Sequence, residues 1–123
     1  MDVRTVGRVY GVGRVALGAG LLVAPGLMSR AWLGTPTSPE ARAGRDVALR
    51  ALGIRDVLLG AIQLHTLSHP QVGARWARTC AVADAVDALA TLAARDRLPV
   101  TALGVVALAA SGTATGLVVG ARL

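Results

Sequence analysis

The chain has 123 residues, of which 54% are hydrophobic and only 16% charged. An average soluble domain carries about 25% charged residues, so a single apolar domain suited to a bilayer is expected rather than a large soluble core. The formal charge is +6 and all 13 basic residues are arginines, spread over the hydrophobic segments and their ends without interleaved aromatics, which argues against nucleic acid and for contact with anionic lipids.

Four hydrophobic segments follow one another, each near the roughly 20 residues that cross a bilayer. The first is Val6 to Met28, "VGRVYGVGRVALGAGLLVAPGLM". Its basic start and the small residues near "APG" imitate a secretory leader, but Arg14 interrupts the apolar run, so a retained span is expected. "SRAWLGTPTSPEARAGR" (Ser29 to Arg45) reads as the longest loop, with Trp32 as an aromatic anchor at the membrane interface. The second segment is Gly44 to Leu67. After the short link "SHPQVG" comes the third, Ala74 to Ala94, and after "RDRLP" the fourth, Pro99 to Gly120, which has no charge. Pro99 suits the first turn of that last helix.

Short links force antiparallel neighbours. The expected fold is therefore all-α: an up-down-up-down four-helix bundle, integral to the cell membrane as one multi-pass domain. Arg4, Arg8, Arg75, Arg78 and Arg122 would lie at one end, and Arg30, Arg42, Arg45, Arg95 and Arg97 at the other. The positive-inside rule is tied, and no orientation follows.

Charged residues inside these spans are the informative feature. At about 100° per residue, Asp46, Arg50, Gly53, Asp56 and Gly60 share one side of the second helix, and Asp46 can pair with Arg50 four residues on. Arg55 points away from that side and is expected to snorkel, meet another helix or face a second copy of the chain. The third helix carries Asp84 and Asp87 on a face with Ala77, Cys80, Ala88 and Thr91. The first places Gly7, Tyr10, Gly11, Arg14 and Gly18 together, and the fourth offers Gly104, Ser111 and Thr115. An isolated charge at membrane depth costs several kcal/mol. A paired polar centre of Arg14, Asp46, Arg50, Asp56, Asp84 and Asp87 is expected, with hydrogen bonds from Tyr10 and Thr91.

Such a centre can serve three ends. It can fix helix register and partner choice in a non-catalytic subunit of a membrane complex, carry protons in a small proton-coupled transporter or channel, or bind and react with a lipid-soluble substrate. For the last, one carboxyl gives a proton while a carboxylate activates water or steadies positive charge, as in epoxide opening, cyclisation or isomerisation. The catalytic candidates are Asp56, Asp84, Asp87, Arg50 and Arg55; the binding candidates are Tyr10, Arg14, Asp46, Cys80 and Thr91. The expected partners are membrane lipids, a hydrophobic small molecule and further copies of the chain.

Other signals point to no cofactor and no metal. Cys80 is the only cysteine, so neither an intrachain disulfide nor a cysteine-based metal site is available; it reads as a small core residue. His65 and His69 have metal-compatible spacing but no carboxylate or thiol beside them in sequence. "GVG" and "GAG" lack the strand-then-helix context of a dinucleotide site, and "SGTATG" lacks the lysine of a phosphate loop.

The run from "GRDVALRALGIRDVLLG" through "ADAVDALATL" resembles small four-span actinobacterial membrane proteins near the DoxX-like and related domain-of-unknown-function groups. The resemblance rests on an Arg–Asp helix followed by an Asp-x-x-Asp helix. It implies a four-helix membrane fold and no agreed activity.

Overall fold

Proline sets the helix starts. Pro25, Pro39 and Pro70 each stand in the first turn of a helix, where the missing N–H has no partner to lose. The computed structural model describes residues 1–123 as α1 (Val3–Val23), α2 (Pro25–Leu33), α3 (Pro39–Thr66), α4 (Pro70–Ala93), a 3-10 turn (Arg95–Arg97) and α5 (Ala102–Arg122), with no strand. The fold is all-α, as expected.

Three boundaries differ from the sequence reading. The first apolar segment is not one helix. It breaks at Ala24 (φ −136°, ψ 65°), because Pro25 cannot donate to the preceding turn. The long loop is mostly helical: α2 fills its first part, and α3 begins at Pro39 with the Ser38 hydroxyl accepting from the Ala41 N–H at 3.1 Å, an N-cap. Pro99 does not enter α5. Its carbonyl accepts from Ala102 N, and the helix starts there.

The four long helices run antiparallel in chain order. Along α1, Gly7, Gly11 and Gly18 lie against Leu67, Gly60 and Gly53 of α3. Along α5, Gly120, Gly116 and Gly112 lie against Ala74, Ala77 and Asp84 of α4. Arg55 and Thr66 of α3 meet Asp87 and Gly73 of α4, and Val119 of α5 returns to Gly7 of α1. The short α2 crosses one end, touching α1, α3 and α5.

The α1–α3 interface is held by close backbone approach at two levels. A Cβ on Gly53 would sit 2.6 Å from Gly18 O, and one on Gly60 would sit 2.8 Å from Gly11 O, closer than atoms can stand. Only glycine lets α1 and α3 meet this way. Gly53 and Gly60 thus leave room for the α1 backbone beside Asp56. The inner face of α5 is a correction. It is formed by Gly112, Gly116, Val119 and Gly120, whereas Gly104 meets nothing and Ser111 is exposed. The Ser111 and Thr115 hydroxyls donate to carbonyls of their own helix at 2.8 Å and so need no partner across the bundle.

Burial mixes polar and apolar groups. The buried set contains Arg14, Gln63, Asp84 and Thr91 beside Leu21, Leu49, Leu67, Val119 and small residues, while Val12, Ile54, Leu58, Val82, Val86, Leu89, Leu117 and Val118 are exposed. Helices α1 and α5 are long and apolar enough to cross a membrane, and only 28% and 22% of their apolar stretches are buried in the bundle.

Candidate functional site

Halfway along the bundle, the buried charges meet. Arg14 projects from the glycine face of α1 and is the hub. Its Nη1 donates to Asp56 Oδ1 of α3 at 2.9 Å. Its Nη2 donates to Asp84 Oδ1 of α4 and to the Tyr10 hydroxyl oxygen one turn back at 2.7 Å. Tyr10 in turn donates its own O–H to Asp84 Oδ2. Its ring also lies under the guanidinium, 5.2 Å from centroid to Cζ, a cation–π geometry. The Arg14 side chain is only 5% exposed, and those of Asp84 and Asp56 are 12% and 15%. Arg14 Nε, also buried, has no acceptor.

A second ion pair abuts the first. Arg55 Nη2 donates to Asp87 Oδ2 at 2.7 Å and lies 3.5 Å from Asp56 Oδ1. The sequence reading turned Arg55 away from the Asp56 face, to snorkel, meet another helix or face a second copy of the chain, and the meeting with another helix holds. The reason is geometric: a step of about 100° along a helix is close to the right angle between two neighbours in a square bundle. Asp56 therefore faces α1 and Arg55 faces α4, and both belong to the centre.

Asp46 and Arg50 do not. Asp46 pairs with adjacent Arg45 at 2.8 Å, and Arg50 is exposed, donating through Nε to the Leu22 carbonyl near the end of α1 at 3.2 Å. Asp46 stands ten residues before Asp56, about 15 Å along the helix axis. A shared helix face is not a shared depth. The orphan carbonyls ending α1 also attract a cation, so Arg50 is drawn there.

Cys80 is fully buried beneath Arg14, and its carbonyl lies 3.5 Å from Arg14 Nη2. Thr91 donates to the Asp87 carbonyl at 2.7 Å and accepts from Trp32 Nε1 at 3.1 Å. Trp32 is thus tied to α4, and its position on α2 brings it over one end of the bundle.

Beside the centre lies a cavity of about 330 Å³. Val9, Tyr10, Gly13, Arg14, Leu17 and Leu21 of α1 form one wall, and Val105, Leu108, Ala109 and Gly112 of α5 form the other. Met28 and Trp32 of α2 close one end, and Asp56, Asp84 and Asp87 lie at the back with Leu52. Val9, Leu17 and Leu108 are exposed on the bundle flank, so the opening faces sideways between α1 and α5. Gly112 matters here: a Cβ at that position would meet Asp84 Oδ2 at 2.5 Å and the Tyr10 hydroxyl at 3.1 Å.

Sequence reasoning missed Gln63, which is fully buried and donates through Nε2 to the Gly7 carbonyl at 3.2 Å. The three-four spacing of Gly53, Asp56 and Gly60 continues to it, so the signal was present. No cluster of three or more His, Cys, Asp or Glu suited to a metal ion forms. No protein-family model, curated protein or solved structure matches the chain.

Proposed function

We propose that this is an integral membrane protein whose four long helices cross the bilayer and whose lateral cavity binds a lipid-soluble molecule against the Asp/Arg centre. The observation that carries this reading is the cavity, with apolar walls, an opening on the flank and three carboxylates at its back. Sites of this size with a few convergent polar groups are typical of small-molecule binding.

The membrane placement rests on where the large apolar side chains lie. At 21 residues each, α1 and α5 are about 31 Å long, close to the roughly 30 Å of hydrocarbon. Helices α3 and α4 hold too many charges to qualify by composition. Their central charges pair inside the bundle, however, and Ile54, Leu58, Val82, Val86 and Leu89 cover their outer faces. Most of the remaining arginines lie toward the ends, where anionic headgroups would meet them. The open space at Gly104 would admit a second copy of the chain.

The centre also has the makings of an acid–base site. Asp56 and Asp87 share one nitrogen of Arg55. With one proton between them, one carboxyl gives a proton to a substrate atom while the other takes one from water or carbon. Epoxide opening, cyclisation and isomerisation all use that pairing, and Arg14 and Arg55 would act as positioning residues.

An alkyl diazirine in lipid nanodiscs tests the reading. Labelling should concentrate on the cavity walls of α1 and α5. Leu108→Trp, which fills the mouth, should cut it about tenfold, equivalent to about 1.4 kcal/mol, without moving the thermal midpoint. Even labelling of all exposed faces, unchanged by Leu108→Trp, would overturn it.

A further inference from the structure

The donors that reach the cavity are already engaged; Arg14 Nε, which lacks an acceptor, is fully buried and closed off from it. Tyr10 donates to Asp84, the Trp32 indole to Thr91, and the terminal nitrogens of Arg14 to Asp56 and Asp84. Two acceptors are not engaged. The hydrogen bonds to Asp56 all end on Oδ1 and the one to the Asp87 carboxylate ends on Oδ2, and neither remaining oxygen is sealed from open space. Arg55, which holds the other oxygen of Asp87, is not part of the wall. The cavity therefore offers acceptors and asks for donors.

Charge points the same way. The ionisable groups facing one another are Tyr10 and Arg14 from α1, Arg55 and Asp56 from α3, and Cys80, Asp84 and Asp87 from α4. Helix α5 contributes none at this depth. Three carboxylates against two guanidiniums leave one negative charge unbalanced in apolar surroundings, where an unpaired charge is costly. A proton on one carboxyl removes it. A bound cation does too, and a cation bearing N–H groups also satisfies both free oxygens.

Building on the binding reading above, we infer that the cavity takes a lipophilic ammonium, a primary or secondary amine on a compact hydrocarbon body. Its N–H groups reach Asp56 Oδ2 and Asp87 Oδ1, and its entry releases one proton from the centre to water. A neutral alcohol of the same shape brings a donor but no charge. A carboxylate brings the wrong charge. The cavity volume of about 330 Å³ lies at the small end of ligand pockets and favours a compact body.

Octylamine, octanol and octanoate, compared at equal mole fraction in nanodiscs as competitors of the alkyl diazirine, decide the matter. Octylamine should displace the label at a concentration at least about tenfold lower than octanol, the effect of one charge-assisted hydrogen bond. Octanoate should be weakest. A pH-indicator dye in weak buffer should report close to one proton released per amine bound. Asp87→Asn should erase the preference for amine over alcohol while both still compete. If octanol matches octylamine in the native protein, or no proton appears, the ammonium assignment is wrong although the cavity still binds. If none of the three competes and the label is not localised, the binding reading itself has failed. The comparison in the native protein decides the question even where the Asn variant does not fold.

Discussion

Helix α1 meets its two neighbours in different ways. Against α3 it presents Gly11 and Gly18 to Gly60 and Gly53, and the backbones touch with no space for a methyl group. Against α5 it presents Val9, Gly13 and Leu17, and the side chains stand apart around a cavity. Both sides contain glycine, so glycine alone does not close an interface. What matters is whether the facing helix offers glycine at the same depth. Gly53 and Gly60 do so on α3. On α5, Leu108 and Val105 hold the mouth open, and Gly112 yields its space to Asp84 and Tyr10.

The charged centre lies between the two sides, and its removal should have the largest effect. Arg14→Leu takes away the cation that holds Asp56 and Asp84 together. Breaking a buried pair by deleting one partner costs about 3–5 kcal/mol. The expected result is a fall in folded yield and in the thermal midpoint in a fixed detergent. Folding and stability equal to the native chain would show that the centre does not hold the helices together. On the closed side the next largest loss is expected from Gly53→Val. The new Cβ would meet Gly18 O at 2.6 Å and the Leu22 N at 3.1 Å, both backbone atoms that cannot swing aside. Overpacking of this kind costs about 1–3 kcal/mol, read as a lower thermal midpoint. A neutral outcome would mean the two helices can part without loss, and the contrast between the sides would collapse.

Much of this arrangement was legible from spacing. Three-four periodicity placed Gly11, Arg14 and Gly18 on one face of α1, Asp56 between Gly53 and Gly60 on α3, and Asp84 with Cys80 and Thr91 on α4. All of these face the interior. Periodicity reports direction around a helix and is silent on depth along it. For that reason Asp46 and Arg50, on the right face but too far toward the start of α3, were wrongly joined to the centre. Nor does it say how helices are arranged about one another, which hid the meeting of Arg55 with Asp87. Nor does it give the contact of Trp32 with Thr91, which depends on the break at Pro25 that turns α2 across the bundle end. The cavity was invisible in sequence, because it arises where large side chains on two helices fail to interlock.

The smallest stability effect is expected on the open side. Gly13 lines the cavity, and a Cβ built there meets nothing within 4 Å. Gly13→Val adds volume where there is room and replaces the poorer helix former, so its stability should stay within about 0.5 kcal/mol of the native chain, as for substitutions outside packed contacts, and its thermal midpoint should barely move. The same valine narrows the cavity mouth, so diazirine labelling of the α5 wall should fall. The two readouts then separate for Gly13→Val, access dropping while stability holds. For Gly53→Val the separation should be in the opposite sense, stability dropping while the mouth on the other side of α1 is unaltered. If Gly13→Val instead destabilises as much as Gly53→Val, α1 and α5 are packed as tightly as α1 and α3, and the sideways opening does not exist.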